Sequence, residues 1–457
     1  MFQIENYHPQ NSKDYNSKDH NEDNYIKDYH RGLYGCCQSV KQRSLYEELI
    51  NYLKKGHYPF HMPGHKGNPA FLPPTSLINL DVTELDNTDN LHNPTGCIKE
   101  TQRRIAEIYG ADESFLLVGG STSGIIAAIC ATCEDGSTLA VDRNCHRAVY
   151  SGMLWSGVRP VYFWADSFSE KRLPKAKVTI VTSPTYEGNV LDIAAIAESV
   201  HKNNGILIVD EAHGAHFPFH PAFPQGALAF GADIVIHSLH KTLPAFSQSA
   251  AIHVQGAKVD RQRLRQILSC TQTSSPSYLI MATTDYMLNK LKNPIYFEEY
   301  VENLLAMRKE IKDILLPTDD IGKLLLTISN GRGLSKKHKL AFELITDDYT
   351  LAMTSVADTL EGFNRLKNAV KGVYEVRPNT ADQGSKKRHH DLPLPEVVLS
   401  PREAMGKKTR KAKLKESIGE ISGSLLAPFP PGIPVLVPGE RISESLAIDC
   451  EIDILLI

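Results

Sequence analysis

Short apolar runs alternate with helix-like stretches between about residue 46 and residue 291, and this alternation limits the possible folds more than any other feature. It predicts strands over residues 114–118, 138–141, 160–163, 178–182, 206–210, 234–237 and 250–254. Helical segments lie between them, for example over 123–133, 144–157 and 192–203. Strands that alternate with helices are typical of an α/β fold in which helices cover both faces of a parallel sheet.

The length of the chain, 457 residues, predicts more than one domain, because a single hydrophobic core rarely grows that large. Residues 1–45 are rich in Asn, Asp, Lys and Tyr and have few aliphatic side chains, so we expect a mobile N-terminal arm. Residues 46–291 would form a large domain, 292–383 a small α/β domain, and 384–457 a C-terminal module.

The composition of the chain limits the kinds of partner and the compartment that we expect. With 42% apolar residues, 23% charged residues and a net charge of -3, the chain resembles an ordinary soluble globular protein, so we expect neither a nucleic acid nor a membrane as its partner. The longest apolar stretch is too short to span a bilayer, and we see no secretory signal at the N-terminus. Eight cysteines in a chain of this length indicate reduced thiols, which predicts a cytoplasmic protein.

The segment FLLVGGSTSGIIAAI, residues 115–129, combines a strand, a glycine pair, a Ser-Thr-Ser run and a helix. Glycines let the backbone approach an anion, while hydroxyls and the free N–H groups at a helix N-terminus donate hydrogen bonds to it. Because the Lys of a nucleotide P-loop is missing, a lone phosphate monoester fits better than a triphosphate. Ser121, Thr122 and Ser123 are the candidate donors, and the alternative is plain N-capping by Ser121 or Ser123.

Two further strand ends carry residues of distinctive chemistry, and ligands of parallel sheets bind at such ends. Asp210 follows one apolar run, where a carboxylate can keep a ring nitrogen protonated. Lys241 stands 31 residues later, after the next run. Taken alone, it is more simply explained as a loop lysine in water, but a desolvated lysine can form a Schiff base. A phosphate cradle, a carboxylate and a Schiff-base lysine are together the three contacts that pyridoxal 5'-phosphate requires.

The chain resembles the Orn/Lys/Arg decarboxylase family in the stretches HMPGHKGNP (61–69), DVTELDNTDNLHNPTGCIKE (81–100), LLVGGSTSGIIAAI (116–129), VDRNCHRAVYSGMLWSG (141–157), SPTYEGNVLDI (183–193), VDEAHGAH (209–216), HSLHKTLPAFSQSA (237–250), TQTSSPSYLIMA (271–282), SPREA (400–404) and APFPPGIPVLVPGE (427–440). The resemblance extends from about residue 46 to residue 445. It implies the aspartate-aminotransferase-like fold of enzymes that depend on pyridoxal phosphate, with a mostly parallel, seven-stranded sheet in the large domain.

By this resemblance, Lys241 would hold the cofactor as a Schiff base and Asp210 would pair with its pyridine nitrogen. His146 would stack on the ring, and His213 would belong to the same cofactor site. The phosphate would be surrounded by Ser121, Thr122, Ser123, Ser238 and His240.

The resemblance also implies a particular assembly. In the family, Thr and Ser of the TQTSSPSY type reach the phosphate of the neighbouring subunit, and the matching residues here are Thr273 and Ser275. We therefore expect active sites that are shared between two protomers. The long N-terminal wing domain of larger family members has no counterpart in this sequence, so a homodimer is expected rather than a decamer.

The implied activity is α-decarboxylation of arginine, lysine or ornithine to CO₂ and the corresponding di- or polyamine precursor. Lys241 or His240 would donate the proton to the α-carbon, and Glu440 would bind the distal cation of the substrate. For Glu440 the alternative is a solvated loop carboxylate. Another reaction on the same fold, such as transamination or elimination, and a non-catalytic regulatory relative are the competing interpretations. A degenerate relative would lose Lys241 or Asp210, and both are present.

Three further patterns suggest other functions but are explained more simply. HGAHFPFH brings His213, His216 and His220 together without a Cys or carboxylate at zinc-ligand spacing, so no metal is predicted. CATC (130–133) falls inside an apolar helix, which indicates packing rather than redox chemistry. KKTRKAKLK (407–415) is interpreted as a solvated helix face, because no aromatic residues are interleaved for stacking on nucleic-acid bases.

Overall fold

The computed structural model describes residues 52–85, 87–168, 173–328, 331–371, 393–446 and 450–456. The described residues from Gly56 onwards belong to one unit by their contacts. The N-terminal arm predicted over 1–45 lies outside the described residues.

The strands of the described chain are β1 (Tyr58–Phe60), β2 (Glu113–Leu117), β3 (Thr138–Asp142), β4 (Arg159–Phe163), β5 (Val178–Thr182), β6 (Ile206–Asp210), β7 (Ile234–His237), β8 (Ala250–Val254), β9 (Lys323–Leu326), β10 (Leu340–Phe342), β11 (Leu344–Ile345), β12 (Thr350–Met353), β13 (Thr409–Lys413) and β14 (Glu451–Leu455). The helices are α1 (Cys97–Tyr109), α2 (Gly120–Thr132), α3 (Arg147–Ser156), α4 (Ile193–Lys202), α5 (Leu239–Thr242), α6 (Arg261–Thr271), α7 (Tyr278–Leu291), α8 (Ile295–Glu310), α9 (Gly331–His338), α10 (Leu360–Lys371) and α11 (Pro401–Met405). Each of the seven predicted strands overlaps one of β2 to β8, so that prediction is confirmed.

Strands β2 to β8 form one sheet in the order β2-β8-β7-β6-β5-β3-β4. Strand β8 is antiparallel to both of its neighbours, and the pairings from β7 through β4 are parallel. The segment between β7 and β8 holds only the four-residue helix α5, which rises about 6 Å. For β8 to run parallel to β7, the connecting segment would first have to run back along the whole length of a strand, roughly 17 Å. The mostly parallel, seven-stranded α/β fold is thus confirmed, with one reversed strand.

Both faces of this sheet are buried. Ile208, Ile234 and Ile236 belong to the apolar cluster under α2, α3 and α6, whereas Leu207 and Val235 belong to the cluster under α4. Successive strand residues point to opposite faces, so a strand covered on both sides is apolar throughout. The near-continuous Ile and Val runs of β6 and β7 have this cause, and they hold the ends of the two strands in fixed positions.

Three smaller sheets complete the described chain: β11-β12-β9, the parallel pair β1-β10, and the antiparallel pair β13-β14. The prediction of a helix face over 407–415 is wrong, because residues Thr409–Lys413 form strand β13. Its partner β14 buries Ile452 and Ile454, while the basic side chains of β13 stay exposed. Within the described residues, no helix has both the length and the apolar character needed to cross a membrane.

Candidate active site

The predicted functional residues meet where the parallel strands end. Asp210 is the last residue of β6, and it pairs in register with Thr182, the last residue of β5. Lys241 follows β7 on α5, and His146 is the N-cap of α3 after β3. These side chains line a small cavity, called here the ring cavity, which is bounded by Asn144, His146, Thr182, Tyr186, Asp210, Ala212, His213, Lys241, Pro431 and Ile433.

Lys241 and a second lysine flank the imidazole of His213. Nζ of Lys241 is 3.0 Å from Nε2 of His213, and Nζ of Lys323 is 2.9 Å from Nδ1 of the same ring. A neutral imidazole has one N–H group and one acceptor nitrogen. The amine facing the N–H group must therefore accept a hydrogen bond as a neutral amine. Burial lowers the pKa of Lys241, and it lowers the pKa of Lys323 to about 8. The arrangement favours the uncharged amine that a nucleophile requires.

Asp210 is buried, and its Oδ1 accepts a hydrogen bond from the Ala212 N–H at 3.2 Å. Burial raises the pKa of Asp210, and the charge of Lys241 acts in the opposite direction. The net effect raises the pKa, so a positive charge beside Asp210 is needed to stabilise the ionised carboxylate, which is the form able to keep a ring nitrogen protonated.

His146 presents a neutral ring to the ring cavity. Its Nδ1 accepts a hydrogen bond from the Ala148 N–H at 3.2 Å, which fixes the imidazole at the start of α3. Burial, with a smaller contribution from the charge of Lys241, lowers the pKa of His146 to about 4. An uncharged, oriented imidazole is suited to stacking against an aromatic cofactor.

The predicted phosphate cradle lies at the N-terminus of α2. Ser238 Oγ donates a hydrogen bond to Ser121 Oγ at 2.7 Å, so the hydroxyls of two separate loops meet. Ser123 Oγ donates to the Gly120 carbonyl at 2.9 Å, and Thr122 is exposed. The alternative of N-capping by Ser121 or Ser123 is wrong, because the N-cap is Gly119 without a side-chain hydrogen bond.

The histidines near the site have different partners. His240 Nδ1 is 3.0 Å from the Ser249 carbonyl oxygen, and burial lowers the pKa of His240 to about 4. His216 Nε2 is 3.1 Å from Asp320 Oδ1. His213 instead lies between two lysines, so the HGAHFPFH histidines do not converge on one point. His240 is not among the residues that bound the ring cavity.

Thr273 and Ser275 lie apart from the ring cavity of their own chain. Both are exposed, between α6 and α7, and their hydroxyls are 3.3 Å from each other. The Thr273 carbonyl oxygen is 2.9 Å from His92 Nε2. Their predicted contact with a neighbouring subunit stays a prediction.

Glu440 is buried in an ion pair. Its Oε2 is 3.2 Å from Nη2 of Arg143 and accepts a hydrogen bond from the Val437 N–H at 2.8 Å. With only 1% of Glu440 exposed, the alternative of a solvated loop carboxylate is wrong. Its predicted contact with the substrate stays a prediction, but the charge of this carboxylate is already compensated.

Comparison with known proteins identifies the family of this fold and site. The family model "Orn/Lys/Arg decarboxylase, major domain" matches residues 43–170 and 165–330, and "Orn/Lys/Arg decarboxylase, C-terminal domain" matches residues 383–450. The chain belongs to the Orn/Lys/Arg decarboxylase family. It is therefore a decarboxylase, and the resemblance drawn from the sequence motifs is confirmed.

Individual relatives of this Orn/Lys/Arg decarboxylase cover nearly its whole length. It is 32% identical to YaaO, an uncharacterized protein of Bacillus subtilis (strain 168), over 88% of this chain and 92% of YaaO. It is 28% identical to an arginine decarboxylase of the same organism, over 89% of this chain and 92% of that enzyme. The crystal structure of the Francisella novicida lysine decarboxylase LdcF shares its fold, with a TM-score of 0.68 at 18% identity, over 90% of this chain and 80% of that one.

Two residues of this Orn/Lys/Arg decarboxylase site were missed by the sequence prediction. Lys323 is 1% exposed and opens the apolar run KLLL. A lysine beside a buried strand was the signal that singled out Lys241, and it applies equally here. Thr182 ends β5, and its buried hydroxyl has no hydrogen-bond partner among the described residues. A hydroxyl at the carboxyl end of a predicted parallel strand was its only signal.

The proline-rich C-terminal loop of this decarboxylase closes one side of the site. Pro431 and Ile433 bound the ring cavity. Between them, Gly432 has a φ of +84°, and a Cβ added there would lie 3.2 Å from Nε2 of His146. The Arg147 N–H donates to the Gly432 carbonyl at 3.0 Å. Glycine is needed at this position because the backbone is left-handed and passes directly over the imidazole.

Proposed function

We propose that this decarboxylase uses pyridoxal 5'-phosphate to remove the α-carboxyl group of arginine, lysine or ornithine, releasing CO₂ and a di- or polyamine precursor. The observation that carries the proposal is the meeting of Asp210 and Lys241 in one buried cavity beside His146. The names of the arginine and lysine decarboxylases that the chain is similar to support the same substrate class.

The residues present fit this cofactor. The hydroxyls of Ser121 and Ser238 and the backbone around Gly120, with its φ of +70°, form a cradle suited to a phosphate at the start of α2. The buried hydroxyl of Thr182 lacks a partner among the described residues and bounds the ring cavity beside Asp210. A buried polar group without a partner is costly, and a polar atom of a bound ring would remove that cost.

When bound, pyridoxal phosphate supplies an electron-withdrawing ring that accepts the electron pair left by departing CO₂. Asp210 would keep the ring nitrogen protonated by placing a carboxylate beside it. Lys241 would hold the cofactor aldehyde through Nζ, and its lowered pKa favours the amine that can do so. His146 would lie against the ring and orient it.

Of the two predicted proton donors, Lys241 is supported better than His240. Nζ of Lys241 bounds the ring cavity and contacts His213 Nε2, through which a proton can pass to or from the ring nitrogen of the imidazole. His240 does not bound this cavity, and its Nδ1 is engaged with the Ser249 carbonyl. We therefore assign protonation of the α-carbon to Lys241.

The site is also proposed to be shared between two protomers of a homodimer. Thr273 and Ser275 lie exposed after the end of α6, where the Thr273 hydroxyl is 3.3 Å from the Ser275 hydroxyl and accepts a hydrogen bond from the Ser275 N–H at 3.2 Å. In this proposal they complete the phosphate site of the neighbouring protomer.

The deciding experiment offers the protein, supplied with pyridoxal phosphate, an equal mixture of arginine, lysine and ornithine. We expect one dominant amine and an equal amount of CO₂. After borohydride reduction, peptide mass spectrometry should find the cofactor on Lys241. A keto acid formed without CO₂ would indicate transamination instead. Failure to decarboxylate any of the three amino acids would contradict the proposal.

A further inference from the structure

A second cavity adjoins the ring cavity. Its volume is about 580 Å³, and it shares Asn144, Pro431 and Ile433 with the ring cavity. We call it the outer cavity; its further wall residues include Trp164, Glu187, Tyr349, Glu396, Glu440 and Arg441. A substrate whose α-carbon lies in the ring cavity can extend its side chain into this space.

Three carboxylates stand on the wall of the outer cavity, and two of them are already neutralised by arginine. Glu440 pairs with Arg143 at 3.2 Å, and both side chains are buried. Glu396 pairs with Arg441 at 2.7 Å in an exposed ion pair. For both carboxylates an arginine already balances the negative charge, although Oε1 of Glu440 has no hydrogen-bond partner among the described residues.

The third carboxylate, Glu187, has a different environment. Its Oε1 accepts a hydrogen bond from the Tyr349 hydroxyl at 3.0 Å, and the described residues place no Arg or Lys within ion-pair distance of it. The phenol orients the carboxylate without neutralising it, and the charge of Lys323 acts on it only from beyond ion-pair distance. Burial and the charge of Glu187 raise the pKa of Tyr349, so its hydroxyl remains a donor.

The chain positions Glu187 at the junction of the two cavities. Its neighbour Tyr186 bounds the ring cavity and donates a short hydrogen bond, 2.5 Å, to Glu343. Gly188 has a φ of +99°, and a Cβ there would lie 2.7 Å from Cγ of Lys323. The chain on both sides of Glu187 is therefore closely packed, and Glu187 lines the outer cavity.

We infer that Glu187 binds the distal ammonium or guanidinium group of the substrate and that Tyr349 is a positioning residue for this carboxylate. The inference rests on the proposed function and adds the residue that selects basic side chains. The aromatic rings of Trp164 and Tyr349 on the same wall suit a cation that has lost part of its hydration.

The test compares Glu187→Gln, Tyr349→Phe, Glu440→Gln and the control Glu420→Gln with the parent enzyme on whichever basic amino acid the parent prefers. Steady-state kinetics give KM and kcat, and calorimetry gives the affinity for the amine product. This amine lacks the α-carboxyl group and retains the distal cation. Cofactor content and melting temperature are measured for every variant, with Glu187→Asp as a second substitution should the amide impair folding.

For Glu187→Gln we expect KM to rise at least tenfold and amine affinity to fall by a similar factor, with a smaller change in kcat, because charge-assisted contacts are the strong ones. Tyr349→Phe should raise KM about threefold, since it leaves the carboxylate in place but unoriented. Glu420→Gln, the matched amide change at a partly exposed, arginine-paired carboxylate outside the outer cavity, should leave both constants unchanged. Glu187→Asp, which keeps a carboxylate, should bind the amine product more tightly than Glu187→Gln does.

Two results would overturn the inference: a KM for Glu187→Gln within twofold of the parent, or a tenfold rise for Glu440→Gln that Glu187→Gln does not show. The second result would assign the cation to Glu440. A parent enzyme that decarboxylates none of arginine, lysine and ornithine would instead overturn the proposed function, so the two failures are distinguishable.

Discussion

At Asp210, burial and a neighbouring charge act in opposite directions. Burial raises the pKa of this carboxyl group, and the ammonium of Lys241 lowers it. The same pair acts on Lys241, whose pKa is lowered by burial and raised by Asp210. Each group favours the charged form of the other, but burial is the larger effect on both, so both pKa values move towards the neutral form. Removing either one takes away this opposing effect, so the pKa of the remaining group moves further towards the neutral form.

Replacement of Asp210 by Asn is expected to retain the cofactor and to reduce kcat at least tenfold, which is about 1.4 kcal/mol in the activation barrier. The neutral amide cannot hold the ring nitrogen protonated. Steady-state kinetics and cofactor content measure the two effects. Asp233→Asn is the matched control: Asp233 is also buried, but it contacts His201 and the Leu207 N–H at the other end of β6. A loss below tenfold would remove the electronic role from Asp210.

Among the strands, a chain of buried hydrogen bonds crosses the sheet beneath the site. Glu211 Oε2 is 2.8 Å from His237 Nε2, His237 Nδ1 is 2.9 Å from His253 Nε2, and His253 Nδ1 is 2.7 Å from Ser114 Oγ. Burial raises the pKa of Glu211 to about 8 and lowers that of His237 to about 3. Every link is satisfied when all four groups are neutral and each donates to the next.

Glu211→Gln is expected to change how stability depends on pH. Folding raises the pKa of Glu211 from 4.5 to about 8. The carboxyl group therefore gives its full stabilisation of the folded state below pH 4.5, and this stabilisation is lost as the pH rises through 8. Gln can accept from the Ala227 N–H and donate to His237 without titrating. Urea unfolding at pH 5 and pH 8.5 measures the effect. Relative to the parent, the unfolding free energy of the variant should be higher at pH 8.5 than at pH 5 by about 2 kcal/mol or more. Parallel pH profiles would mean that Glu211 is already ionised.

Two glycine substitutions in the C-terminal segment are expected to lower stability equally but activity unequally. Gly432→Ala places a methyl group 3.2 Å from His146 Nε2 at a φ of +84°, so the loop should move and kcat/KM should fall at least tenfold. Gly419→Ala is the control: it has a similar φ of +86° and nothing within 4 Å of the added Cβ. Both variants should lose about 1 kcal/mol of unfolding free energy. Equal activity of the two variants would show that the loop does not contact the reacting site.

At the scale of the molecule, the site is assembled from segments far apart in the sequence. Asn144, Tyr349 and Ile433 all bound the outer cavity, although they come from the large sheet, the small sheet region and the C-terminal segment. The hydroxyls of Thr273 and Ser275 extend this assembly to a second protomer in our proposal. A cofactor bound across such an interface would also favour the dimer by linkage.

Mixing two inactive chains tests the shared site. One carries Lys241→Ala, and the other carries Thr273→Ala with Ser275→Ala. After subunit exchange about half of the dimers would be mixed, each with one complete site of two, so activity should recover to about a quarter of the parent level. Sedimentation confirms the exchange and the dimer. Should activity stay absent after verified exchange, the site is built from one chain.

The strands and the residues at their ends could be predicted from the sequence. The Ile and Val runs of β6 and β7 can be recognised from neighbouring residues alone. Asp210 stands at the end of the first run, and Lys241 lies on the short helix after the second. The same reasoning found the hydroxyls near the start of α2, whereas His146 was predicted only from the family resemblance. The basic run over 407–415 was interpreted wrongly because its strand partner, residues Glu451–Leu455, lies almost forty residues further along the chain. The composition of residues 407–415 does not indicate which distant segment pairs with them.

Strand positions, the sheet class and the family were determined by the sequence alone, since hydrophobic periodicity and motif spacing are properties of neighbouring residues. Which charges compensate each other was decided only by the tertiary structure. Lys323 lies against His213, Glu440 is neutralised by Arg143, and Glu187 accepts a hydrogen bond from the phenol of Tyr349. These pairs join residues more than a hundred positions apart, and the charge state of a buried group depends on the atoms that surround it after folding.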